Sequence, residues 1–183
     1  FIACDVSGSM QCPVSPKSSV MNYDIGILLG SILKSKCKSV VTGIFGDTWL
    51  PAVGGPKCGV LENTINMHKN TNKVGFSTNG HLAIDWLLKE NIKVDKLMFF
   101  TDMQMWNSRR DGGSLEKAWK AYKILNPDAK LYLFDLRGYG QMPVRQTTDD
   151  VFLIAGWSEK VFEILDAIEG GESALEHSQH IEL

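Results

Sequence analysis

This sequence is short of charge of one sign, of paired cysteines and of long apolar runs, and each shortage excludes a class of protein. Lys and Arg number 19 against 21 Asp and Glu, a formal charge of −2, so no basic field draws nucleic acid onto the domain as a whole. The cysteines Cys4, Cys12, Cys37 and Cys58 spell out neither a CxxC pair nor a regular spacing. Cys4 lies inside an apolar strand, where a buried free thiol is expected, and a reducing cytoplasm is the expected compartment. The longest apolar run, Ile25 to Leu33, is interrupted by Gly26, Gly30 and Ser31; it is too short to span a bilayer, and no membrane partner is expected. The chain opens at Phe1 directly on what reads as a core strand, so any targeting segment is expected to belong to a part of the protein not included here. The expectation is one domain over 1–183, excised from a longer protein, with 170–183 as its tail.

What the chain has is a 44% hydrophobic composition over 183 residues, enough for one ordinary globular core. Strand and helix patterns alternate along it. Phe1 to Val6 reads as a buried strand, followed by a Ser/Pro-rich loop from Gly8 to Ser19. The spacing predicts a helix over Val20 to Lys36, apolar nearly all round as for a helix pressed on a sheet. Ser39 to Gly46 is β-branched and apolar, a strand; Trp49 to Val53 carries a proline and reads as a short edge strand. Helices are expected over Leu61 to Lys69 and Asn79 to Glu90, the latter amphipathic with Leu82, Trp86 and Leu87 on one face. Asp95 to Asp102 is the clearest buried strand. Ser114 caps a helix to Leu125, which Asn126-Pro127 stops. Lys130 to Leu136 and Asp150 to Gly156 are two more strands, and Ser158 to Glu169 a last helix. The fold class is therefore α/β: a doubly wound, mostly parallel six-stranded sheet with one short antiparallel edge strand and helices on both faces.

Such sheets place ligands beyond the carboxyl ends of their strands, at the switch point. The first strand ends in Asp5-Val6-Ser7-Gly8-Ser9 and the fourth in Thr101-Asp102. Between them in sequence, Gly75-Phe76-Ser77-Thr78-Asn79 presents hydroxyls just before a helix. Asp5 and Asp102 with Ser7, Ser9 and Thr78 form an all-oxygen donor set, which suits Mg²⁺, Mn²⁺ or Ca²⁺ and disfavours Zn²⁺ or copper. Mg²⁺ is the first choice, because it keeps waters through which carboxylates can act while neutral hydroxyls bind directly. A cation with few anionic ligands keeps its charge available to an Asp or Glu of a protein partner. Each part also has a plainer reading. DxSxS can be an Asx or Ser turn, Asp102 a cap on the turn after it, and Thr78 the N-cap of its helix.

DVSGSM, FSTN and FFTD together resemble the metal-ion-dependent adhesion site of von Willebrand factor A (vWA) domains, whose Rossmann-like order of strands and helices agrees over nearly the whole chain. The resemblance implies that Ser7, Ser9 and Thr78 contact the metal directly or through one water, with Asp5 and Asp102 acting largely through waters. Phe76-Ser77 departs from the Gly-Gly or Gly-Ser often found before the threonine. CDVSGSM followed by TDMQMW is further similar to the C-terminal domain of Ro (TROVE) RNA-binding proteins, and FDLRGYGQMPV with VFLIAGWSEKVFEIL to a cytosolic vWA family. This implies a metal-dependent protein-interaction domain of a Ro-like ribonucleoprotein. RNA would be bound by a ring of helical repeats that this chain does not include. Trp106, just past Asp102, is expected on the partner-binding face.

Two rivals remain. An extracellular adhesion vWA domain would carry the same site, but unpaired cysteines weigh against it. A phosphatase-like hydrolase would need a second Asp two residues after Asp5 as general acid, where Ser7 stands. No GxSxG elbow surrounds Ser7 or Ser9, and His68 and His81 are expected on helix surfaces. The expectation is no catalytic residue and no enzyme.

Overall fold

In a computed structural model, residues 1–52, 58–104, 114–138, 150–157, 163 and 165 are described. Six strands run in the spatial order β3-β2-β1-β4-β5-β6: β1 (Ile2–Asp5), β2 (Thr42–Phe45), β3 (Trp49–Pro51), β4 (Lys96–Thr101), β5 (Lys130–Asp135) and β6 (Val151–Ala155). Every neighbouring pair is parallel except β2 with the edge strand β3. The helices are α1 (Asn22–Lys36), α2 (Val60–His68), α3 (His81–Lys89) and α4 (Leu115–Leu125). Only Glu163 and Leu165 of the helix expected over 158–169 fall among the described residues, and both are helical. The 170–183 tail lies outside them.

The period of two in each strand divides the core between the faces of the sheet. Ala3, Leu97, Phe99, Leu131 and Leu133 meet Ala83, Ile84 and Leu87 of α3 and Trp119 and Tyr122 of α4. Ile2, Cys4, Met98, Phe100, Tyr132 and Phe134 meet Ile27, Leu29 and Leu33 of α1, Met67 of α2, and Leu165. With both faces covered, the strands can afford no polar alternation, which is why they read as continuous apolar runs. Each fully buried large apolar side chain stabilises the fold by roughly 1.5–3 kcal/mol.

Gly26 and Gly30, which interrupt the apolar run of α1, are its points of closest approach to the sheet. A Cβ at Gly30 would lie 2.9 Å from Cys4 Sγ and 3.0 Å from Ile2 Cγ2, and one at Gly26 would lie 3.3 Å from Phe100 Cβ. The Cys4 thiol, fully buried, donates to the Gly26 carbonyl at 3.4 Å. All four cysteines are free thiols.

Three local expectations are corrected. The helix α1 starts at Asn22 rather than Val20, because Met21 is held extended by a bridge to Pro13 and its N–H is taken by Asp24 Oδ2 at 2.9 Å. In α3 the buried face is Ala83, Ile84 and Leu87, with Trp86 partly buried at its margin against Trp49 and Leu82 only partly buried. His81, expected at the surface, is 7% exposed, because i and i+3 place it on the same face as Ile84. His68 is exposed as expected, with its Nδ1 3.0 Å from Asp24 Oδ1. Among the described residues no helix is long and apolar enough to cross a membrane.

Candidate metal centre

The order of strands reverses between β1 and β4, which pair in parallel with Cys4 opposite Phe100. Their carboxyl ends therefore bring Asp5 and Thr101-Asp102 together at the edge where such a fold binds ligands.

One device recurs along this edge. Asp5 Oδ1 accepts from the Ser7 N–H at 2.9 Å, Asp102 Oδ1 from the Gln104 N–H at 3.1 Å, and Asp135 Oδ1 from the Arg137 N–H at 3.1 Å. At the ends of β1, β4 and β5, an aspartate thus ties down the backbone two residues on, as Asx turns do. The turn readings of Asp5 and Asp102 are both realised, each on one carboxylate oxygen. Their other oxygens separate them.

Asp5 Oδ2 accepts from the Thr101 hydroxyl at 2.7 Å, so both oxygens of Asp5 are engaged. Its carboxyl is pushed up to about 7 by burial, with the nearby charge of Asp102 adding and the bonds from Ser7 and Thr101 opposing. Asp102 Oδ2 is different. It is fully buried and has no hydrogen-bond partner, the one buried carboxylate oxygen in that condition among the described residues. The nearest cationic atom is Arg137 Nη1 at 3.8 Å. The turn carrying Asp102 is tight: Met103 has a left-handed φ of 62°, which costs roughly 1–2 kcal/mol in an L-residue, and its N–H donates to Thr101 Oγ1 at 3.2 Å.

The serines converge. Ser7 Oγ and Ser9 Oγ are 3.2 Å apart, on a short 3-10 turn over Gly8–Met10. Arg137 Nη1 donates to the Ser9 carbonyl at 3.0 Å and so ties this turn to the end of β5.

Thr78 is brought to the same edge by its backbone. The Gly8 N–H donates to Phe76 O at 2.8 Å and the Asn79 N–H to Gly46 O at 3.0 Å. The Ser77 N–H donates to Asp47 Oδ1 at 2.8 Å, and the Ser77 hydroxyl first, with this N–H second, holds the Asp47 carboxyl below its usual range. Gly75, with φ of 76°, leaves no room for a Cβ, which would meet Asp47 Oδ2. Thr78 is not a helix cap, since the N-cap of α3 is Gly80. Its loop is clamped between the turns that follow β1 and β2.

Asp47, Thr101 and Arg137 support the site and were not singled out by their sequence patterns. Asp47 could have been found, because it follows the end of β2 as Asp5 and Asp102 end β1 and follow β4. Arg137 could not, because its reach to Ser9 depends on a turn 128 residues away. Trp106 lies outside the described residues.

Two buried carboxylates, two hydroxyls within contact of each other and an unsatisfied buried carboxylate oxygen fit a hard cation with oxygen ligands. Among the described residues no three His, Cys, Asp or Glu side chains come together as a metal-holding group, so a cation here would have to rely on hydroxyls as well.

A doubly wound sheet with strand order 3-2-1-4-5-6, an acidic strand end and a converging serine pair at its switch point defines a vWA-type domain. Residues 1–168 match the family described as the Ro60 vWA domain, and the chain belongs to that family. Its fold is similar to that in the crystal structure of the Deinococcus radiodurans RO (RSR) protein, at 18% identity and a TM-score of 0.69, over 94% of this chain and 34% of that one. The chain thus spans about a third of that protein. A structure of an uncharacterised membrane-spanning protein from Vibrio fischeri aligns at 17% identity over 94% of this chain and 97% of that one, with a TM-score of only 0.32. No curated protein matches.

Proposed function

We propose that this domain is a non-catalytic, metal-dependent protein-interaction module of a Ro-like ribonucleoprotein, and that it captures an Asp or Glu side chain of a protein partner. The residues that would hold the metal are Ser7, Ser9 and Thr78, with Asp5 and Asp102 supplying negative charge. Mg²⁺ is the expected ion, and Mn²⁺ or Ca²⁺ fit the same donors. Bound there, the cation would supply an electrophilic position open to a carboxylate.

The observation that carries this reading is Asp102 Oδ2. A buried carboxylate oxygen left without a hydrogen bond costs roughly 1–3 kcal/mol or more, and such a cost is kept where a ligand relieves it. Asp5 has a different task in this reading: with both oxygens engaged, it orients Ser7 and accepts Thr101. The neutral hydroxyls then leave the ion most of its charge. We assign these residues no catalytic role, since Ser7 stands where a hydrolase of this type would need a second acid.

The setting we propose is a cytoplasmic Ro-like protein that binds RNA through a separate helical-repeat region, with no membrane partner for this domain. A net charge of −2 accords with a domain that does not itself bind RNA. The test is a pull-down with the purified domain, in Mg²⁺ or in EDTA, using wild type and Thr78→Ala. Capture by the wild type in Mg²⁺ alone supports the reading. Equal capture under all conditions sinks it.

A further inference from the structure

We infer that Arg137 is the counter-cation of this site and sets its affinity for metal by competing for Asp102. The inference rests on the metal reading above, but concerns a residue outside the ligand set. Arg137 is placed by the end of β5, where Asp135 Oδ1 accepts from the N–H groups of Arg137 at 3.1 Å and Gly138 at 2.9 Å. From there its guanidinium reaches back across the sheet edge. Nη1 donates to the Ser9 carbonyl at 3.0 Å and stands 3.8 Å from Asp102 Oδ2.

That distance is too long for a hydrogen bond and short enough for a strong charge interaction beside a buried oxygen. An arginine side chain is a fixed positive charge. It therefore neutralises Asp102 through space without occupying the oxygen, which stays available to a ligand. A divalent cation drawn to the same carboxylate meets a positive charge already there, so loading works against Arg137. The affinity for the ion alone is lowered, and an incoming carboxylate offsets two positive charges rather than one. Arg137 is a positioning residue for Ser9 as well, and the two roles predict opposite outcomes. Loss of a clamp loosens the serine turn and weakens metal binding. Loss of a competing charge strengthens it.

The test is a calorimetric titration of Mn²⁺ into wild type, Arg137→Gln and Arg137→Lys, with thermal stability in EDTA measured in parallel. Arg137→Gln should bind Mn²⁺ about tenfold more tightly, while melting at a lower temperature in EDTA because Asp102 has lost its counter-charge. Arg137→Lys, which keeps the charge, should stay near wild type in both. Equal or weaker Mn²⁺ binding by Arg137→Gln overturns the inference and leaves the metal site standing. Absence of Mn²⁺ binding by the wild type overturns both. Should Arg137→Gln not fold, the Arg137 Nε–H resonance of the wild type decides: it should shift as Mg²⁺ is added, and a resonance unmoved at saturation overturns the inference.

Discussion

Thr101 Oγ1 donates a 2.7 Å hydrogen bond to Asp5 Oδ2 across the β1–β4 junction, joining the two strand ends that carry the acidic residues of the site. Both residues are fully buried, so the bond is made without competition from water. It also fixes the turn after β4, since the same hydroxyl accepts from the Met103 N–H at 3.2 Å.

Thr101→Val keeps the shape and removes the hydroxyl. It should lower the unfolding free energy by roughly 1–3 kcal/mol, because a buried carboxylate oxygen and a buried N–H are left unpaired. Thr101→Ser should recover most of the loss. Urea denaturation of the three proteins checks this, and a neutral Thr101→Val would show that the bond does not hold the strand ends together.

The metal-free domain should lose stability as pH rises from about 4 to about 7. The Asp5 carboxyl is raised from 3.8 to about 7 in the folded chain by burial. Below pH 4 it is protonated in both folded and unfolded states. Between these values the folded state holds a proton that the unfolded state has released, so its stabilising share is lost as pH passes through 7. Asp5→Asn, which can still accept from Ser7 N–H, should remove this slope and raise stability at pH 8 by a few kcal/mol, one pKa unit being about 1.4 kcal/mol. Thermal melts in EDTA from pH 5 to 8 measure it; parallel curves for the two proteins would contradict the assignment.

Gly30→Val should destabilise the domain by roughly 1–3 kcal/mol through overpacking. Even the first carbon of the new side chain would come 2.9 Å from Cys4 Sγ and 3.0 Å from Ile2 Cγ2. Gly59, where an added Cβ meets nothing within 4 Å, is the control: Gly59→Ala should change stability by a few tenths of a kcal/mol. Equal melting temperatures for the two variants would show that α1 does not need the close approach.

The strands, their order of appearance and the edge that carries the candidate site were legible because a sheet covered on both faces writes each strand as an apolar run ending in a polar residue. Asp5 and Asp102 were found that way, and the β1–β4 pairing brings them together as expected. What was not legible depends on contacts between distant turns. His81 gave no sign of its burial, because one histidine at a helix start reads the same on either face. Gly26 and Gly30 looked like breaks in a hydrophobic run, yet mark where that run touches the sheet. Thr78 has the sequence signature of a helix cap, but Gly80 holds that position. The clamp of Asp47 on Ser77 spans 30 residues and the reach of Arg137 to Ser9 spans 128, and no local pattern records either.

The claim that the serine turn and Asp102 form a divalent-cation site is tested most directly by titrating Mg²⁺ and Mn²⁺ calorimetrically into wild type and into Ser7→Ala/Ser9→Ala and Asp102→Asn variants. The account predicts one site in the wild type, weak in the absence of a partner, and its loss in both variants, with their folds retained by circular dichroism. Wild-type binding undiminished in either variant would place the ion elsewhere and contradict the account.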